Sequence, residues 1–190
     1  MRLPCLKMSL AENIFEHAKE EITMGIELRK AAVTDGMDIY EMLQELPANE
    51  NGFINSAAGM QFEEYKEWLK GKVLAAEQIG IVDGWKVPQS TFWLFEDGRP
   101  VGYGNLRHFL TEKLLEQGGN IGYSIRPSDR NRGLGKILLS LLIEESKKMG
   151  MDRLLITVNS QNTPSLHVAL ANGGKIERAT AERNYVWITL

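Results

Sequence analysis

The stretch from Asn120 to Lys148 constrains this chain most, because it reads as strand, glycine turn and amphipathic helix in immediate succession. Ile121, Tyr123 and Ile125 alternate with Gly122 and Ser124, the period-two pattern of a half-buried strand. Pro127 closes that strand, since proline cannot donate to a ladder. Leu134, Ile137, Leu138, Leu141, Leu142 and Ile143 then share one broad helical stripe, with Glu144, Glu145, Lys147 and Lys148 largely opposite. Gly150 supplies a left-handed stop, and the two lysines suit the negative end of the helix dipole.

A helix opened by residues 130–135, Arg-Asn-Arg-Gly-Leu-Gly, offers unpaired backbone N–H groups and two positions without a Cβ, so a phosphate can approach the main chain. Spacing separates the patterns that would use it. A dinucleotide fingerprint requires glycine where Leu138 stands. A Walker loop requires glycine in place of Arg130 and a hydroxyl residue in place of Ile137. What remains is Arg-x-x-Gly-x-Gly, from Arg130 through Gly133 to Gly135.

The 190 residues predict one domain with ample apolar content, 43%, for a core. A net charge of −3 implies no general polyanion-binding surface and argues against a nucleic-acid partner. The single cysteine, Cys5, suits a reducing cytoplasm, and no apolar run approaches the length of a membrane span. Residues 1–24 read as an extension, with Ser9 as a cap for a weakly amphipathic helix or with Met24 as the true start; the domain is expected over residues 25–190.

Along that domain, residues 26–30 predict a strand, and a helix starts at Thr34–Asp35 and ends before Pro47. Residues 50–60 read as loop and 61–71 as a helix whose Phe62, Tyr65, Trp68 and Leu69 lie on one face, fit for core packing or substrate contact. Residues 90–95 and 101–110 predict a hairpin around the turn at 96–99, with Gly102 and Gly104 permitting a bulge or close ligand. After the central helix come a buried-type strand at 153–158, a short helix at 164–172 and strands at 175–179 and 185–189.

With its strand, its helix and the downstream Asn162, the Arg130–Gly133–Gly135 motif resembles that of the GNAT superfamily of N-acetyltransferases. The resemblance covers about residues 26–190. Within it, Leu106-Arg107-His108, the run 118–128 and Asn172-Gly173-Gly174 are similar to a bacterial group of predicted acetyltransferases. The implied fold is an α/β acyl-CoA N-acyltransferase domain: a mixed, mostly antiparallel sheet flanked by helices, with one splayed strand pair. The implied reaction is direct transfer of an acetyl group from acetyl-coenzyme A to the amine of a small molecule or peptide, with no metal. An inactive acetyl-coenzyme A sensor is the alternative, and monomer and homodimer both stay open.

By the same resemblance, Ser124, Ile125, Arg130, Asn131, Arg132, Gly133, Leu134, Gly135, Lys136, Asn162 and Ser165 would hold the coenzyme, and the N–H near Ile125 would polarise its thioester. Asn120 and Tyr65, the latter with Glu63 and Glu64, would face the acceptor, and Arg107 either binds an acceptor carboxylate or pairs with an acidic side chain. Many relatives place a proton-transferring tyrosine at the position of Ala169 and a glutamate at that of Asn120, and neither residue here can carry a proton. The expected catalytic groups are therefore His108 as base, directly or through water, and Tyr123 as acid with Tyr185 as the other possible donor, although all three also fit as ordinary sheet residues.

Overall fold

A computed structural model describes residues 25–78, 81 and 83–190. The expected N-terminal extension, with Cys5, Ser9 and His17, lies outside them.

The framework is a hairpin of β4 (Gln89–Glu96) and β5 (Arg99–Arg107). Asp97 and Gly98 both take positive φ, 50° and 77°, the left-handed pair whose twist matches that of the strands it joins. β1 (Ile26–Lys30) adds to β4, and β6 (Ile121–Ile125) adds to β5, giving the order β1-β4-β5-β6, all antiparallel. A second ladder has the order β7-β9-β8, from β7 (Arg153–Asn159), β8 (Lys175–Ala179) and β9 (Arg183–Thr189).

Among the described residues, five α-helices flank these sheets: α1 (Met37–Glu45), α2 (Phe62–Leu74), α3 (Glu112–Glu116), α4 (Leu134–Lys148) and α5 (Thr163–Ala171). The apolar stripe of α4 buries Leu134, Leu138, Leu139 and Leu142 against Leu106, Ile121 and Ile125, in a core that both ladders share. A second core on the opposite face joins α1 and α2 to Trp93, Phe95 and Tyr103. The antiparallel sheet with its flanking helices agrees with the expected fold.

Several local expectations change. The first helix begins at Met37 rather than Thr34, because the Asp35 carboxylate is engaged by Ala32 N (2.8 Å) and Trp93 Nε1 (2.7 Å) in the preceding turn. The loop at 50–60 contains a small hairpin, β2 (Asn49–Glu50) with β3 (Phe53–Ile54). β5 stops at Arg107, and α3, capped by Thr111, fills part of 111–119. Gly102 and Gly104 serve helix packing: a Cβ on Gly104 would stand 2.9 Å from Leu142 Cδ1, so their absence of side chains lets α4 lie close on the sheet.

Candidate active site

β7 is joined to the chain at the entry to β6. Asn120 N donates to Leu155 O (2.7 Å) and Asn120 Oδ1 accepts from Leu155 N (2.9 Å), after which the strands run in separate ladders. In the register of β6 on β5, Gly122 and Ser124 bond toward β5, so the main-chain groups of Tyr123 and Ile125 point to the parted side. A cleft of about 680 Å³ occupies this opening and extends to the start of α4.

The turn before α4 is built to leave its N–H groups open. Asn131 and Gly133 take positive φ, 62° and 80°, and no side chain caps the helix. Asn131, Gly133, Leu134, Gly135 and Lys136 all line the cleft, as do Ser124, Ile125, Arg130, Asn162 and Ser165. A Cβ on Gly135 would lie 3.6 Å from Val168 and 3.8 Å from Ile125, within the space between α4 and α5. The fit to a diphosphate thus rests on backbone N–H groups and the helix dipole.

The two arginines of the motif do something different from what the sequence suggests. Arg130 forms a two-pronged pair with Glu50 (2.6 and 3.0 Å) and donates Nε to Ile125 O (3.0 Å), tying the strand end to the β2–β3 hairpin. Arg132 lies outside the cleft lining and is held by Glu96 (2.7 Å) and Asp129 (3.2 Å). Their charges are neutralised within the protein, which leaves Lys136 as the basic side chain of the turn facing the cleft. Asn162 caps α5 by accepting from Ser165 N (3.2 Å) while it lines the opening.

Of the two expected catalytic residues, Tyr123 lines the cleft and His108 does not. The Tyr123 hydroxyl reaches Ser165 Oγ at 3.0 Å, and burial pushes its pKa up to about 12 against the lowering effect of that hydrogen bond. His108 follows the last residue of β5, and its Nε2 is 3.0 Å from Ser90 Oγ. Its backbone N donates to Pro88 O (2.9 Å), and burial, then Lys30, lower its pKa. The role as base is therefore withdrawn on geometry. His167 is exposed and also lies outside the lining.

The expected acceptor residues also divide. Tyr65 is fully buried between α1 and α2, donates to Asp35 O (3.3 Å), and has a raised pKa from burial, then Asp35 and Asp38; it does not reach the cleft. Asn120 is 2% exposed, and its amide is spent on Leu155 N and, at 3.3 Å, on Arg107 O, so it is the joint of the splayed pair rather than a substrate contact. Arg107 does line the cleft. Asn105, Gln89, Trp85 and Phe53, which no sequence motif singled out, line it as well. Their only sequence signal was alternation: Asn105 and Arg107 must face opposite to Gly104 and Leu106, which meet α4.

This architecture, a glycine turn at a helix N-terminus opening into a split sheet, defines a class. Residues 56–173 match the model of the Acetyltransferase (GNAT) family, and the chain belongs to that family. Over 94 residues it is 28% identical to the [ribosomal protein bS18]-alanine N-acetyltransferase of Escherichia coli strain K12, a match covering 50% of this chain and 59% of that relative. Among solved structures, the microcin C7 self immunity acetyltransferase MccE with acetyl-CoA and AMP is similar at TM-score 0.66 and 13% identity, over 87% of this chain and 93% of that one. A putative acetyltransferase from Salmonella typhimurium with acetyl-CoA is similar at TM-score 0.59 and 16% identity, over 87% and 94%.

Proposed function

We propose that the protein transfers an acetyl group from acetyl-coenzyme A to the amine of a small molecule or peptide, directly and within one ternary complex. The observation that carries this reading is the continuity of one cleft from the uncapped start of α4 to the open edge of β6. Acetyl-coenzyme A would supply an activated thioester there, so that a C–N bond forms as the C–S bond breaks.

The chain's own residues account for the remaining requirements. Gly133, Leu134 and Gly135 present main-chain N–H groups to a diphosphate. The N–H of Ile125 faces the parted side of β6, where it can bond the carbonyl oxygen as charge develops. Tyr123, still protonated at neutral pH, can deliver a proton to the departing sulfur. Among the described residues no histidine lines the cleft, and its carboxylates Glu50 and Asp129 are closed in arginine pairs. The amine accordingly arrives neutral and releases its proton to water.

Calorimetry with acetyl-coenzyme A, followed by thiol release across a panel of amines, tests the reading. Saturable binding with acceptor-dependent release is expected. Binding without release under any amine would make the protein a coenzyme sensor, and binding of ATP but not coenzyme A would overturn the acyl-transfer reading.

A further inference from the structure

Two arginines that line the cleft, Arg107 and Arg183, have no carboxylate partner among the described residues, and of these Arg107 is the one fixed in place by main-chain carbonyls. Arg99, Arg126, Arg130, Arg132, Arg153 and Arg178 each close on a carboxylate. Arg107 has none among the described residues: Nη1 donates to Gly118 O (3.2 Å) and Gly119 O (3.0 Å), two carbonyls that fix the guanidinium at the base of the splayed strands. Nε and Nη2 keep three N–H donors without a partner. Tyr103 Oη is the only fully buried side-chain polar atom lacking a partner among the described residues, so those donors open onto the cleft that Arg107 lines rather than into the core.

Asn105 repeats the arrangement two residues earlier on the same face of β5. Its Oδ1 accepts from Gln89 Nε2 and Thr91 Oγ1, both at 3.1 Å, and its Nδ2 is left to the cleft. One strand face therefore presents two groups that can only donate, spaced about 7 Å apart along the strand. The carboxylates elsewhere in the lining, Glu50 and Asp129, are already paired. Trp85 and Phe53 add apolar surface to the same cleft.

We propose that Arg107 and Asn105 form a carboxylate-binding subsite, and that the acceptor is a small amine carrying a carboxylate, as in a free amino acid. This rests on the acyl-transfer reading, because only then does the cleft hold an acceptor beside the donor. A planar guanidinium with its remaining N–H groups on one side matches the two oxygens of a carboxylate, and the missing counter-ion is the substrate's. A peptide N-terminus brings an amide to that position, which accepts more weakly and carries no charge.

The test compares free L-amino acids with their carboxamides in thiol release, using the full-length protein and Arg107→Gln. For the wild type, kcat/KM is expected to favour acids on the order of 100-fold over amides, the scale of removing one partner from a buried charge pair. In Arg107→Gln that ratio should fall toward one; because it is a ratio, a general loss of folded enzyme does not move it. The amides of aspartate and glutamate report whether a side-chain carboxylate serves instead of the α-carboxylate. Calorimetry of the same acids on the coenzyme A complex gives a readout independent of turnover. Equal use of acids and amides, a ratio unchanged in Arg107→Gln, or no binding of any acid would overturn the carboxylate subsite while leaving acyl transfer standing. Acid binding weakened by Arg107→Gln, with no thiol release from any amine, would do the reverse.

Discussion

The Tyr123 hydroxyl on β6 and the Ser165 hydroxyl on α5 stand 3.0 Å apart across the cleft. This contact crosses the gap that separates the two ladders, and it puts a phenol against the helix in which Ala169, one turn further along, is fully buried. On the proposed mechanism, the proton donor that the α5 position lacks would come from the strand.

Tyr123→Phe should lower kcat on the order of 100-fold with little change in coenzyme affinity, as expected when a general acid is removed. Ser165→Ala keeps the acid and loses only its partner, so the fall should be smaller. With the Tyr123 pKa pushed up to about 12, no loss of rate from this group should appear across the neutral range. Steady-state rates of both variants from pH 6 to 9 check this, and a fully active Tyr123→Phe would remove the tyrosine from the mechanism.

Gly135 separates steric occupation of the anion site from damage to the fold. An alanine Cβ there meets nothing closer than Val168 at 3.6 Å, and alanine is a better helix former than glycine. Gly135→Ala should therefore fold and keep coenzyme affinity within about tenfold, while the indole of Gly135→Trp must fill the approach to the helix and reduce affinity by more than 100-fold. Isothermal titration with coenzyme A reads both, and unchanged affinity in Gly135→Trp would sink the diphosphate assignment.

His108→Ala should leave turnover within about twofold and instead cost stability, about 1 kcal/mol for the hydrogen bond with Ser90. The folded state holds the imidazole pKa below the unfolded value of 6.5, through burial and then Lys30. The unfolded chain thus takes up the proton first. This contribution to stability is present above pH 6.5 and is lost as pH falls below it. Urea unfolding at pH 7.5 and 5.5 should show that loss in the wild type and less of it in the variant.

The glycine turn before α4 was legible because backbone chemistry fixes it. Gly133 in the left-handed region and the uncapped start of α4 follow from residue types at set spacing, so one sequence sufficed to place them. Side-chain roles were less legible, because they depend on which charges meet after folding. Arg130 and Arg132 looked like phosphate ligands until Glu50 and Glu96, 80 and 36 residues away, closed on them. His108 looked catalytic until alternation and the end of β5 set it beside Ser90. The splayed strand pair was expected from the resemblance, but the part the Asn120 side chain plays in joining its base was not.

Asn120 supplies the last prediction. Its Oδ1 satisfies Leu155 N, which lies in a residue 1% exposed, and its Nδ2 satisfies Arg107 O. Asn120→Ala orphans both backbone groups, and one buried unpaired group costs about 1–3 kcal/mol. A drop in unfolding free energy of about 2 kcal/mol is expected, measured by urea titration, with coenzyme and acceptor affinity of the folded fraction falling together as the base of the cleft loosens. A substrate contact would behave otherwise: the acceptor KM would rise alone, with stability unchanged, and that result would return Asn120 to the acceptor site. Because the same amide holds the β5 carbonyl of Arg107, loosening it should also blunt the preference for acids over amides, which couples the joint of the sheet to the proposed specificity of the cleft.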